Sequence, residues 1–259
     1  MIRIFLKMKE QYIKTEMEYP FNFWMMLLAG VVTRFVGMAV PFVICQNIPV
    51  IAGWKEEEVY LILAFLFIAE GTCSIVFEGS WKIPEMVFTG QLDNILSRPI
   101  SPLYQVLSYG IGLQGIGVLA VGIVSLCYFL RKLGKWNAGT IILSLFLIVC
   151  GVLICMSIQL ISNSLVFWYD SGGRTSVPYA IQNIGQYARY PLSIYPSVVQ
   201  GMLLFLLPYG CIGVVPAMIM KGEHVVEYCI FMAVVSIVFL LLGRGVFYRG
   251  IRRYESVGM

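Results

Sequence analysis

Charge is scarce in this chain. Of its 259 residues only 12% are Asp, Glu, Lys or Arg, about half the share of an ordinary soluble domain. Histidine occurs once, as His224. There is no GxxxxGK[ST] loop, so the chain does not hold ATP in the P-loop manner. There is no HExxH and no Cys/His grouping, which argues against a zinc site or a Ser/His/Asp site. Seven cysteines (Cys45, Cys73, Cys127, Cys150, Cys155, Cys211, Cys229) are odd in number, contain no CxxC pair and fall within or at the ends of apolar stretches. They read as small buried apolar side chains rather than a disulfide framework. A cleavable signal is also missing. Arg3, Lys7, Lys9 and Lys14 precede Pro20, and the apolar stretch that follows runs to residue 45, well beyond a signal core of roughly 7–15 residues.

What the sequence has in abundance is apolar surface. Hydrophobic residues make up 59%, more than a soluble monomer can hide. A disordered chain, a secreted disulfide scaffold and an ordinary cytosolic enzyme are excluded. Residues 1–259 read as a single membrane domain of the all-α class, because helices satisfy their backbone groups inside lipid. Six stretches are long enough to cross a bilayer: 21–45, 59–77, 103–130, 139–169, 197–220 and 228–247. Residues 99–130, 136–169 and 190–220 carry no charge at all. With the N-terminus placed in the cytoplasm, six spans put twelve Lys and Arg inside, among them Arg174 and Arg189 of a 170–196 loop. Five lie outside (Lys55, Arg131, Lys132, Lys135, Lys221), and Arg34 stays in the membrane. The positive-inside rule favours this orientation, with both termini cytoplasmic in a multi-pass plasma-membrane protein.

Three features suggest chemistry. Residues 1–20 read as a basic helix on the membrane surface, with Ile2, Phe5, Leu6, Tyr12, Ile13 and Met17 on one side and Lys7, Glu10 and Lys14 away from it. The alternative is a simple basic flank. Arg34 and Glu70 lie inside adjacent antiparallel spans at similar depth, which allows an intramembrane ion pair; the alternative is a snorkelling Arg and a Glu facing other protein or water. Gly110, Gly112 and Gly115 fit GxGxxG, but they sit in an uncharged span with no acid until Asp170. Close helix packing is the better reading, with Gly110 and Gly117, and Gly115 and Gly122, seven apart.

The loop 78–102 is the most informative stretch. A short helix over 91–97 is expected, opened by Gly90, favoured by Asp93 near its N-terminus and stopped by Pro99. Leu92, Ile95 and Leu96 form an apolar face suited to docking in another protein's groove; the alternative is a helix flat on the headgroups. The pattern Gly90-x-Leu92-Asp93-x-x-Leu96-x-Arg98-Pro99, followed by Pro102, resembles the loop motif of permeases of the type-2 ATP-binding-cassette (ABC) exporters. It is most similar to the branch related to daunorubicin-resistance permeases. The layout, and the pattern of Pro191, Pro196, Pro208 and Pro216, resemble that branch over nearly the whole chain. Other relatives carry re-entrant helices on the outer side between the last two spans, and Pro208 and Pro216 leave room for such a feature.

The resemblance implies a half-transporter without enzymatic activity of its own. Two cytoplasmic ATPase subunits, which bind ATP and Mg, would couple through Gly90, Leu92, Asp93, Ile95, Leu96, Arg98 and Pro99. A second permease, a different homologous chain, would complete the path within the lipid bilayer for an amphipathic drug, peptide or lipid-like substrate. No cofactor in this chain, no metal and no nucleic-acid partner is expected. Two other readings stay open. An ion-coupled secondary transporter would use Glu70, and a membrane-embedded enzyme would use Asp170, Arg174 and Arg189.

Overall fold

A computed structural model describes residues 2–47, 50–169 and 176–255. Asp170 and Arg174, named above, lie outside the described residues, as does the side chain of Ile2. The chain is an all-α membrane protein. α1 (Ile2–Met17) leads into α2 (Pro20–Asn47), which a two-strand hairpin, β1 (Val50–Ile51) and β2 (Trp54–Lys55), joins to α3 (Glu56–Phe77). The short helices α4 (Ile83–Phe88), α5 (Gln91–Leu96) and α6 (Pro102–Ser108) follow, and then α7 (Gln114–Lys132) and α8 (Ala138–Ser164). α9 (Ser176–Gly185), α10 (Ser197–Gly201), α11 (Tyr209–Lys221) and α12 (Val225–Arg253) complete the chain. Five helices, α2, α3, α7, α8 and α12, are each long and apolar enough to span a bilayer.

α3 is the axis of the bundle. Its sequence from Val59 to Ala69 is apolar all round, as expected of a helix enclosed on every side, and each of these residues is buried. α7, α8 and α11 pack around it. The α3–α7 seam is tight because glycine supplies it. A Cβ on Gly71 would stand 2.6 Å from the Leu119 nitrogen, and one on Gly122 would stand 2.8 Å from the Ile68 nitrogen. Gly117 does the same service against the Leu27 carbonyl of α2. Gly110 is different: it lies outside the helix, at φ +67°.

That glycine marks a departure from the expected 103–130 span. The stretch is divided into α6 and α7, because Gly110 turns left-handed and the Gly112 N–H is drawn aside to donate to the Ser74 carbonyl, 3.0 Å away. α7 alone crosses: 19 residues make about 28 Å of helix.

A larger departure concerns 170–220. The stretch 197–220 is no straight helix. α10 runs into a π-helical turn, Met202–Leu206, and then breaks at Pro208, so that α11 leaves at 101°. The described part of the 170–196 loop, from residue 176 on, does not stay on one face either. At its start, Tyr179 of α9 meets the Trp81 ring at 5.8 Å, level with the end of α3. At its end, the Ser193 hydroxyl donates to the Ala52 carbonyl in the hairpin, 3.1 Å away, at the other end of α3. Residues 176–195 therefore connect the two faces of the bundle. α10 and α11 form a bent insertion whose apex, Tyr209, lies against Gly185, while Lys221 returns to Glu58 on the hairpin face.

The bundle thus has a terminal face, carrying α1, α4–α6 and the end of α12, and a hairpin face. On the hairpin face the cluster at 131–135 is fully engaged. Arg131 stacks over Trp136 at 4.6 Å, Lys132 pairs with Glu57 at 3.0 Å, and Lys135 donates to the Met220 carbonyl.

Candidate functional site

Two sites emerge, one on the terminal face and one within the bundle. On the terminal face, Gly90 adopts φ +70°, ψ 3°, a left-handed conformation that an L side chain resists. The chain reverses there and α5 begins. The expected docking face turns out to be occupied. Leu92 is fully buried and Ile95 nearly so, packed with Ile83, Met86, Val106, Leu160, Phe167 and Phe247 in a second core under the loop. Leu96 packs on the same cluster. The apolar stripe of α5 anchors the loop to its own protein. The outward side consists of Gln91, Asn94, Ser97, Arg98 and Pro99. The expected docking of this apolar face in another protein, or on headgroups, is corrected by its burial in the chain's own core, because a sequence pattern does not say whether the covering surface is internal.

Gln105 escaped the sequence reading, although it is one of only two amides, with Gln114, in the uncharged run 99–130. It is buried, and its Nε2 donates to the Ile95 and Ile100 carbonyls at 3.0 and 2.9 Å. These bonds satisfy the open end of α5 and fix the turn through Arg98–Pro99. Its Oε1 has no partner. The Ser101 hydroxyl and the Tyr248 hydroxyl, 2.9 Å apart, tie the loop to α12.

α1 buttresses this assembly from the side. Phe5 packs on Tyr104, Tyr12 on Tyr109, and the Lys9 ammonium donates to the Gly110 carbonyl at 2.7 Å. Burial lowers the Lys9 pKa to about 8, against the opposing pull of Glu78. The apolar residues expected on one side of α1 are divided: Phe5 and Tyr12 face α6, while Leu6, Ile13 and Met17 are exposed.

Within the bundle, α2 and α3 bring Arg34 Nη2 to 2.8 Å from Glu70 Oε2. The charges touch, but the contact is not a well-aligned hydrogen bond, and both Arg34 Nε and Glu70 Oε2 lack a hydrogen-bond partner. The Arg34 guanidinium also lies 5.1 Å from the centre of the Phe67 ring. Arg189, expected in a cytoplasmic loop, stands here instead. Its Nη1 lies 4.0 Å from where a Cβ on Gly37 would be, and its charge interacts with those of Glu70 and Arg34. The 176–195 segment carries it in. With Glu70 engaged by a cation and Arg189 enclosed, neither the ion-coupled nor the enzymatic reading gains support. Among the described residues no group of three or more His, Cys, Asp or Glu is placed to hold a metal ion.

A family described as ABC-2 family transporter protein matches residues 16–258. No curated protein and no solved structure matches the chain.

Proposed function

Since the chain belongs to the ABC-2 transporter family and is the permease component of an ABC transporter, we propose that it is the passive half of an ATP-driven exporter. Two cytoplasmic ATPase subunits grip its terminal face at α5, and a second permease, a different homologous chain of the daunorubicin-resistance-like branch, pairs with it in the plasma membrane. The observation that carries this reading is the construction of the loop. α5 projects a polar edge (Gln91, Asn94, Ser97, Arg98) while Leu92 and Ile95 lock it into a core shared with α8 and α12. A motor pushing on that edge moves the bundle instead of bending a loop. ATP and Mg stay with the ATPase, and no cofactor is assigned to this chain.

Orientation follows from charge. With Arg189 in the crossing segment and Arg174 undescribed, ten of the twelve cations remain on the terminal face (Arg3, Lys7, Lys9, Lys14, Lys82, Arg98, Arg244, Arg249, Arg252, Arg253), against five on the hairpin face. The positive-inside rule places the terminal face and both termini in the cytoplasm. The exposed stripe Leu6, Ile13 and Met17, beside Lys7 and Lys14, supports α1 as a helix lying in the membrane interface.

The test is reconstitution with the partner ATPase. Arg98→Glu reverses charge on an exposed residue outside the second core. It is expected to abolish co-purification or to reduce coupled ATP turnover at least about tenfold, with the fold intact by thermal melting. Normal assembly and turnover in Arg98→Glu, Asn94→Asp and the double variant would remove the docking role from α5.

A further inference from the structure

Arg34, Glu70 and Arg189 do not balance. Arg34 and Glu70 pair inside the bundle, and Arg189, outside ion-pair distance of Glu70, interacts with both; the three are delivered by α2, by α3 and by the 186–189 turn of the fifth crossing segment. One Arg at the centre of a bilayer costs about 2.5–3.5 kcal/mol even on insertion scales. A pair that only ordered two helices needs one charge of each sign. Here Glu70 is engaged by Arg34, and among the described residues no carboxylate is left for Arg189. Arg34 Nε, buried and without a hydrogen-bond partner, is a further unspent donor.

The trio is also reachable. The Arg34 and Glu70 side chains are 18% and 27% exposed. Phe35, Val36 and Tyr187, next to them in sequence, are exposed, so the outer surface of α2 and of the 186–189 turn beside the trio is apolar and aromatic. Guanidinium forks match the oxygens of a phosphate or carboxylate and favour them in a low-dielectric setting. An apolar helix surface accepts an alkyl chain.

We propose that Arg34 and Arg189, the first held by Glu70, bind the anionic head group, a phosphate monoester or carboxylate, of a lipid-like amphiphile whose tail lies against the exposed side of α2. The permease reading is needed only for the claim that such a ligand is cargo. Glu70 tunes the site: it holds one Arg and limits the net charge to a single surplus cation.

The experiment uses the full chain alone, in nanodiscs of zwitterionic lipid, titrated with dodecyl phosphate, dodecyl maltoside, dodecyltrimethylammonium and inorganic phosphate. Dodecyl phosphate is expected to bind at least about tenfold more tightly than the other three. Arg189→Gln should remove that preference, whereas Arg252→Gln, on the terminal face, should keep it. Glu70→Gln should tighten dodecyl phosphate binding, an effect of opposite sign that a merely structural trio would not produce. Equal binding of the three amphiphiles, an unchanged preference in Arg189→Gln, or weakened binding in a folded Glu70→Gln would overturn the proposal. So would inorganic phosphate binding as well as its dodecyl ester. No ATPase is present, so this result is independent of whether α5 couples to one.

Discussion

A single amide decides how stiffly the α5 loop is held. Gln105 donates to the Ile95 carbonyl, which also accepts from the Arg98 N–H, and to the Ile100 carbonyl, so Gln105→Leu, similar in volume, removes one bond at the first and leaves the second open. An unmade buried hydrogen bond costs about 1–3 kcal/mol. Amide hydrogen exchange over 91–102 is expected to accelerate in that variant while the α3 amides stay protected. Equal exchange in both proteins would remove Gln105 from this role. Lys9 provides a second handle. Its ammonium, near pKa 10.5 when α1 is undocked, titrates at about 8 when docked. The undocked state binds more protons between these values, so docking of α1 strengthens as pH rises from 8 to 10.5. Limited proteolysis at the 17–20 junction should slow over that range in the wild type and stay level in Lys9→Met. The Arg34–Glu70 contact makes a prediction of opposite sense. Removing Glu70 alone strands two guanidiniums, so Glu70→Ala should lower the melting temperature more than Arg34→Ala, and adding Arg34→Ala should restore part of the loss. Additive losses would mean that the two side chains do not interact.

Elements differed in how far they could be read from sequence. α2, α3, α8 and α12 announce themselves because lipid demands some 20 apolar residues in a row, and long helices are set by composition. The fifth crossing segment does not: 176–195 mixes a short helix, two 3-10 turns and Pro191, and its place comes from packing on α8 and α11. The uncharged run after it looks like a span because the insertion of α10 and α11 is lined by apolar neighbours on both arms. Only Pro196, Pro208 and the π-helical turn betray the bend. Arg189 was misplaced for the same reason, since its position is inherited from its element. Topology labelling separates the two arrangements. With Cys127 and Cys229 replaced by Ser, an impermeant thiol reagent should reach both Ser193→Cys and Gly222→Cys from the hairpin face. Labelling of the two from opposite faces would restore a straight fifth span. The loop motif around Gly90 was legible as a helix; the direction of its apolar side was not, because the residues of α8 and α12 that cover it, Leu160 and Phe247, arrive 68 and 155 residues after Leu92 in the chain.

At the scale of the whole molecule there are two cores. The larger surrounds α3 in the bundle, and the smaller sits under α4–α6 at the terminal face. Leu92→Asp places a charge in the smaller one, and a buried unpaired carboxylate is costly. The loop should lose its protection while the bundle keeps its helicity, which circular dichroism with hydrogen exchange would separate. Enclosure is also uneven between helices: 72% of the most apolar stretch of the α3 span is buried, against 11% in α2 and 17% in α12. A deep mutational scan would feel that difference as a map of tolerance. Between residues 59 and 69 almost every replacement meets a neighbour. Along 32–43, apart from Arg34, Gly37 and the buried Pro41, one oily side chain can stand in for another, so drift across generations should erode the outer helix while the inner one stays recognisable.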